Sequence, residues 1–208
     1  MGFRKHDINE MINVIISHAK FSDREIKTKV LEVMREVPRH LFVRVDPYAD
    51  SPQLIGWKQT ISQPFIVAYM TDILDVQSSH KVLDIGMGSG YQSAILSKLS
   101  KEVYAVEIIK ELAEKTKKLL TDYKNIKIRI GDGYEGWSEY APYDRIMVAA
   151  KVNKIPKKLL NQLVDGGKMI IPLVTEKREK LVLVTKTNTS YKQEFLIGVR
   201  FVPLVEKE

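Results

Sequence analysis

The run Lys81–Val–Leu–Asp–Ile–Gly–Met–Gly–Ser–Gly90 constrains this chain more than any other. An apolar stretch, Val82 to Ile85, that ends in three alternating glycines predicts a buried strand, a tight turn and a helix from about Tyr91 to Leu99. Gly86, Gly88 and Gly90 put no side chain in the way of a ligand, so the backbone can approach a nucleotide closely. The spacing is G-x-G-x-G, without the third glycine three positions on, and Asp84 lies two residues before the first glycine. That favours the S-adenosylmethionine variant of the nucleotide-binding turn over the dinucleotide fingerprint G-x-G-x-x-G. A strand-to-helix corner with glycines is also compatible with a purely structural turn, so the pattern downstream carries weight.

From His80 onward strands and helices alternate. The pattern predicts strand 81–85, helix 91–99, strand 102–107, helix 110–121, strand 126–130, strand 144–149, helix 156–163 and strand 167–173. Units of this kind build an α/β fold, a mostly parallel Rossmann-like sheet with right-handed crossovers. After Pro172, the β-rich runs Leu181 to Lys186 and Phe195 to Pro203 predict an antiparallel hairpin at the sheet edge. The first third reads as helical. Ile8, Met11, Ile12, Ile15 and Ile16 recur at helical spacing over Asp7 to Lys20, and Ser22–Asp–Arg–Glu25 has the form of a capping box opening a helix through Arg35. Pro38 ends that helix, and Val45 to Lys58 predicts an ordered loop or two short extended pieces. Pro64 suits the first turn of another helix. The chain thus reads as one domain: an N-terminal helical and substrate-side segment 1–79, a cofactor-binding α/β core 80–174 and a C-terminal hairpin 175–208.

Composition excludes several chemistries. No residue of the 208 is cysteine, so disulfides, a thiolate nucleophile and Cys-type zinc sites are out. His6, His18, His40 and His80 form no ligand pair, and no metal is expected. No stretch approaches eighteen apolar residues and the N-terminus lacks an apolar h-region, so neither a membrane span nor a signal peptide is expected, and the cytoplasm is the expected location. The net charge of +7 invites a nucleic-acid partner. The cations are dispersed, however, over Lys115, Lys117 and Lys118, over Lys154, Lys157 and Lys158, and over Lys177, Arg178 and Lys180. Solvated helix faces account for them without a partner.

Three strand tips carry the candidate chemistry. Asp84 stands at the first with its glycines. Val103–Tyr–Ala–Val–Glu107 is a second strand ending in an acid, where a carboxylate can accept from both ribose hydroxyls; a helix-capping glutamate is the plainer alternative. Ile128–Arg–Ile–Gly–Asp–Gly133 ends in an acid able to accept from an adenine amine, although Asp is common in glycine-rich turns. Ligands of such sheets bind outside the carboxyl ends of the strands, where these tips converge. Gln59–Thr–Ile–Ser–Gln–Pro64 combines hydroxyls with a proline-started helix; locally, Ser62 reads as no more than an N-cap.

Taken together, Val37–Pro–Arg–His–Leu–Phe–Val43, Gly56–Trp–Lys–Gln–Thr–Ile–Ser–Gln–Pro–Phe65, the glycine turn through Gln92, Tyr143 to Val148, Gly166 to Leu173 and Val199 to Leu204 resemble the protein-L-isoaspartate O-methyltransferase family. The T-I-S-x-P segment is the specific one, because methyltransferases at large share only the glycine turn. The resemblance implies transfer of a methyl group from S-adenosylmethionine to the free carboxylate of isoaspartyl residues in damaged proteins and peptides, with S-adenosylhomocysteine as product. It implies Ser62 as the active-site serine and Thr60, Ser62, Val202 and Pro203 at the substrate. At the cofactor it implies Gln59, Thr60, Ile61, Asp84, Gly86, Gly88, Ser89, Glu107, Asp132 and Gly133. Met87 departs from the family's small or hydroxylic residue, and its backbone is expected to face the cofactor. The runner-up is an S-adenosylmethionine-dependent RNA methyltransferase, although Ala149–Ala–Lys–Val152 does not resemble an N-P-P-Y motif. A non-catalytic nucleotide-binding module is the third reading. The main reading expects neither nucleic acid nor membrane as partner.

Overall fold

The computed structural model describes residues 5–188 and 190–206. The expectation for the first four residues and the side chain of His6 therefore lie outside it. In chain order the elements are α1 (Lys5–Phe21), α2 (Thr28–Glu36), β1 (Gln53–Gly56), β2 (Gln59–Ile61), α3 (Pro64–Leu74), β3 (Lys81–Ile85), α4 (Tyr91–Leu99) and β4 (Glu102–Glu107). Then follow α5 (Lys110–Leu119), β5 (Ile126–Ile130), β6 (Tyr143–Val148), α6 (Lys157–Asn161), β7 (Leu163–Val174), β8 (Glu179–Thr187) and β9 (Ser190–Gly198). No described helix is long and apolar enough to cross a membrane.

Seven strands form one sheet in the order β5-β4-β3-β6-β7-β8-β9, parallel through β7 and antiparallel beyond it. β3, β4 and β6 are buried on both faces, which is why they read as unbroken apolar runs rather than alternating ones. Successive side chains alternate between two cores. Val82, Val103 and Ala105 enter the core shared with α1 to α5. Leu83, Ile85, Tyr104 and Val106 enter the one beneath α6, flanked by Trp137 and Tyr140. The hairpin edge, β9, is exposed along most of its length and carries Lys192 and Glu194, charges that discourage edge-to-edge pairing.

The core strands and the helices at 64, 91 and 110 lie where the pattern predicts, 45–58 takes the loop and extended form expected of it, and the chain departs from the pattern at Ser22, at the α6–β7 junction and at β9. No helix opens at Ser22. Asp72, buried in α3, accepts the Lys27 N–H at 2.9 Å and the Arg24 guanidinium at 3.2 Å, which holds 24–27 extended, so α2 begins at Thr28. The Ser22 hydroxyl instead reaches back to the His18 carbonyl at the end of α1. Segment 45–58 resolves into a loop and the first strand of a small antiparallel hairpin, β1–β2. Helix α6 is short, because β7 takes the chain over from Leu163. Strand β9 starts and stops earlier than predicted, at Ser190 and Gly198. The tail beyond it leaves the sheet edge and turns back over the strand tips, where Lys151 and Pro203 form a parallel bridge.

Candidate active site

At the carboxyl ends of β3 and β4 the backbone builds a cradle. Gly86 and Met87 donate to the Val106 carbonyl at 2.9 and 3.2 Å, tying the turn to the neighbouring strand. The buried Glu107 carboxylate spreads between two elements, accepting the Gly88 N–H at 2.9 Å and the Ile109 N–H at 3.0 Å. A carboxylate offers about four lone-pair sites, so acceptor capacity remains toward the cavity it lines. Gly90 is required on two counts: its φ is +86°, and a Cβ would meet the Thr116 methyl at 2.6 Å. Gly133 is required by close approach, since a Cβ there would press on Ile85 at 2.7 Å and Leu204 at 2.9 Å.

This cradle encloses a cavity of about 320 Å³, walled by Gly86, Gly88, Ser89, Glu107 and Gly133, by the apolar Ile108 and Ile109, and by the tail residues Val202 to Val205. That volume lies within the range of small-molecule sites. Unspent carboxylate acceptors beside an apolar slot and bare backbone suit a ribose and a flat base, so the residues present fit S-adenosylmethionine.

Two sequence-predicted acids stand apart from that cavity. Asp84 does not line it. Period-two alternation turns its side chain onto the α4 face, where it is fully buried and accepts the Ser93 hydroxyl at 2.5 Å. Burial pushes its carboxyl up to about 7; the Ser93 bond opposes this and Glu107 adds to it. Asp84 therefore supports the turn from behind. Asp132 is likewise absent from the cavity wall. It accepts the Tyr134 N–H at 2.8 Å and caps the short turn after β5, leaving its neighbour Gly133 as the wall. Met87 also lines the cavity, and its side chain is buried in the main core.

The opposite wall comes from distant pieces of chain. Gln59, Thr60, Ile61 and Ser62 line the same cavity at the end of the β1–β2 hairpin. A second cavity of about 440 Å³ adjoins it, lined by Pro52, Gln63, Arg178, Arg200 and Phe201 among others. Thr60, Ser62, Ala149 and Val202 border both. Neither the Ser62 nor the Thr60 hydroxyl has a partner among the described residues, so both are available to a ligand at the junction. Pro203, predicted at the substrate, lines only the first cavity.

Sequence reasoning missed what fixes this wall. Asp50 accepts the Gln63 amide and the Phe65 N–H, both at 2.8 Å, acting as a remote cap for α3; His18 Nδ1 meets the oxygen that accepts from Gln63, Oδ2, at 2.6 Å. Arg39 donates to the Ser62 carbonyl at 2.8 Å. The tail is pinned by reciprocal bonds between Lys151 and the residues Val202 and Leu204, each 2.8 Å. Glu179 accepts from Phe201 N–H at 3.0 Å and from Lys151 at 2.6 Å. Partial burial works to raise the Glu179 carboxyl, but these two donors outweigh it and hold it below its ordinary value.

A mostly parallel sheet with an antiparallel terminal hairpin and a glycine cradle at its strand tips defines an S-adenosylmethionine-dependent methyltransferase. Comparisons with known proteins narrow the class. The family described as Protein-L-isoaspartate(D-aspartate) O-methyltransferase matches residues 9–208, and the chain belongs to that family. Protein-L-isoaspartate O-methyltransferase 2 of Shewanella sediminis is 50% identical over 193 residues, covering 89% of this chain and 79% of that protein. The Dictyoglomus turgidum protein-L-isoaspartate O-methyltransferase is 50% identical over 182 residues, with coverages of 85% and 83%. A crystal structure described as a Plasmodium falciparum protein-L-isoaspartate O-methyltransferase, in complex with S-adenosyl-L-homocysteine, superposes with a TM-score of 0.84 at 25% identity and covers both chains fully.

Proposed function

We propose that this enzyme methylates the free α-carboxylate of L-isoaspartyl residues, with S-adenosylmethionine in the smaller cavity and the damaged peptide in the larger. The observation that carries the reading is that Thr60 and Ser62 border both cavities with unused hydroxyls. Glu107 would hold the ribose hydroxyls, Ile108 and Ile109 the base, and Gly86 and Gly88 the backbone side of the ligand. When bound, S-adenosylmethionine supplies an electrophilic methyl group from its sulfonium.

The acceptor needs no base, because an α-carboxylate has an unperturbed pKa near ~3.5 and is ionised at neutral pH. What the chain contributes is placement. Ser62 and Thr60 donate hydrogen bonds that aim one carboxylate oxygen at the first cavity, without removing a proton. Ile61 and Val202, both apolar, keep water from the junction. Orientation of this kind can supply roughly 7–11 kcal/mol of the barrier reduction. In an isoaspartyl residue the chain continues through the side-chain carboxyl, so the free carboxylate sits directly on Cα. In a normal aspartyl residue it sits one methylene farther out, beyond the reach of a fixed Ser62.

Arg178 and Arg200, exposed and with no side-chain hydrogen bond or ion pair among the described residues, would face the residues flanking the acceptor, Arg200 from a position where its charge also acts on Glu179. An RNA substrate gains no support from any observation: Lys115, Lys117 and Lys118 lie on the solvated face of α5. The test is methyl transfer from labelled S-adenosylmethionine to an isoaspartyl peptide beside its aspartyl twin. The isoaspartyl form alone should take label; equal or zero labelling of the pair would overturn the reading.

A further inference from the structure

Arg39 is the largest fully buried side chain among the described residues, and its surroundings do little for it. Its one hydrogen bond runs from Nη2 to the Ser62 carbonyl. Nε and Nη1 find no partner, nor does the hydroxyl of Tyr91, over whose ring the guanidinium lies at 5.0 Å. Burial lowers the Arg39 pKa to about 10, opposed by Tyr91 and by Asp50. A buried cation with two idle donors is a poor stabiliser, and apolar replacements of buried charged groups are often neutral or stabilising.

What Arg39 does join is the two walls of the site. Tyr91 is the first residue of α4, directly after the glycine turn, and lines the first cavity. Ser62 belongs to the opposite wall. We infer that Arg39 is a positioning residue: stacked on Tyr91 and bonded to the Ser62 carbonyl, it sets the spacing between the cofactor cradle and the hydroxyl that aims the acceptor. This inference rests on the role of Ser62 stated above. The fork of a guanidinium suits the task, since it can stack by its face while donating along its edge.

Arg39→Met and Arg39→Lys, assayed in the full chain with an isoaspartyl peptide, separate positioning from scaffolding. Arg39→Met should lower kcat about tenfold or more, leave KM for S-adenosylmethionine within about twofold and not lower the melting midpoint. Arg39→Lys, which keeps the charge and one donor, should recover part of the kcat. In a Ser62→Ala background, Arg39→Met should cost no more than about a further twofold. Unchanged kcat in Arg39→Met would overturn the inference, as would a kcat loss that tracks a fallen melting midpoint, or a variant that does not fold. Ser62→Ala with full turnover would instead remove the role of Ser62 itself.

Discussion

The two walls of the site are built by different means. The cofactor wall is backbone: a glycine turn, two strand tips and one carboxylate, all within 81–133 of a continuous β-α-β-α-β run. The acceptor wall is assembled from the β1–β2 hairpin, an arginine 23 residues upstream of Ser62, the loop carrying Asp50, and the tail after β9. Backbone geometry repeated from strand to strand gives a general donor site. A wall fixed at Ser62, at Gln63 and along the tail by separate long-range bonds can be changed piece by piece, and the proposed reading puts the choice of acceptor there.

Perturbing the cofactor wall at its centre should have the largest effect. Glu107→Gln exchanges an acceptor oxygen for an amide that points donors at a backbone N–H. With charged hydrogen bonds worth about 1.5–3 kcal/mol, affinity for S-adenosylmethionine should fall about 10- to 100-fold by titration calorimetry. Gly133→Ala should come next, since its methyl presses on Leu204 and the tail belongs to both walls. A loss of roughly tenfold in kcat/KM for peptide, with a smaller loss of cofactor affinity, is expected from steady-state kinetics. Removing Arg178 and Arg200 together should raise KM two- to fivefold for isoaspartyl peptides with acidic flanks and leave neutral ones unchanged, an effect that salt should erase.

Asp84 should show the smallest functional effect and a clear signature in stability. Its folded pKa is raised from 3.8 to about 7, so the folded state binds the extra proton and loses stability as pH rises from about 4 to about 7. Relative to the wild type, Asp84→Asn should gain stability across that interval and hold a constant advantage above it. Denaturant titrations at pH 5, 6, 7 and 8 would read this, and a difference independent of pH would contradict the placement of Asp84.

The same division explains what was legible in the sequence. Glycine spacing, the apolar strands and the acid at Glu107 announce themselves because each is contiguous, and β3, β4, β5, α3 and α4 follow the local pattern closely. Asp84 and Asp132 stand off the cavity wall, and the sequence does not announce it, because a strand-tip acid looks the same whether it faces the ligand or its own scaffold. Period-two alternation already set Asp84 on the face opposite Leu83 and Ile85, a signal that could have moved it behind the turn. Ser22–Glu25 has the letters of a capping box, but a buried Asp72 some 45 residues on takes the backbone instead. Arg39 stands in a segment that carries the family resemblance, but nothing local shows that it is buried against Ser62, and Asp50 and the Lys151–tail bridge leave no local trace. Thr60 and Ser62 were legible only through resemblance, since their unused hydroxyls have meaning only beside two cavities.

The division of labour between the walls is tested most directly by measuring S-adenosylmethionine affinity and peptide turnover for Ser62→Ala and Glu107→Gln side by side. Ser62→Ala should lower kcat by about 10- to 100-fold, the worth of one hydrogen bond to a charged oxygen, with cofactor affinity within twofold of wild type. Glu107→Gln should lose cofactor affinity first and recover much of its turnover at saturating S-adenosylmethionine. If Ser62→Ala weakens cofactor binding while keeping full turnover, donor and acceptor are not held by separate walls.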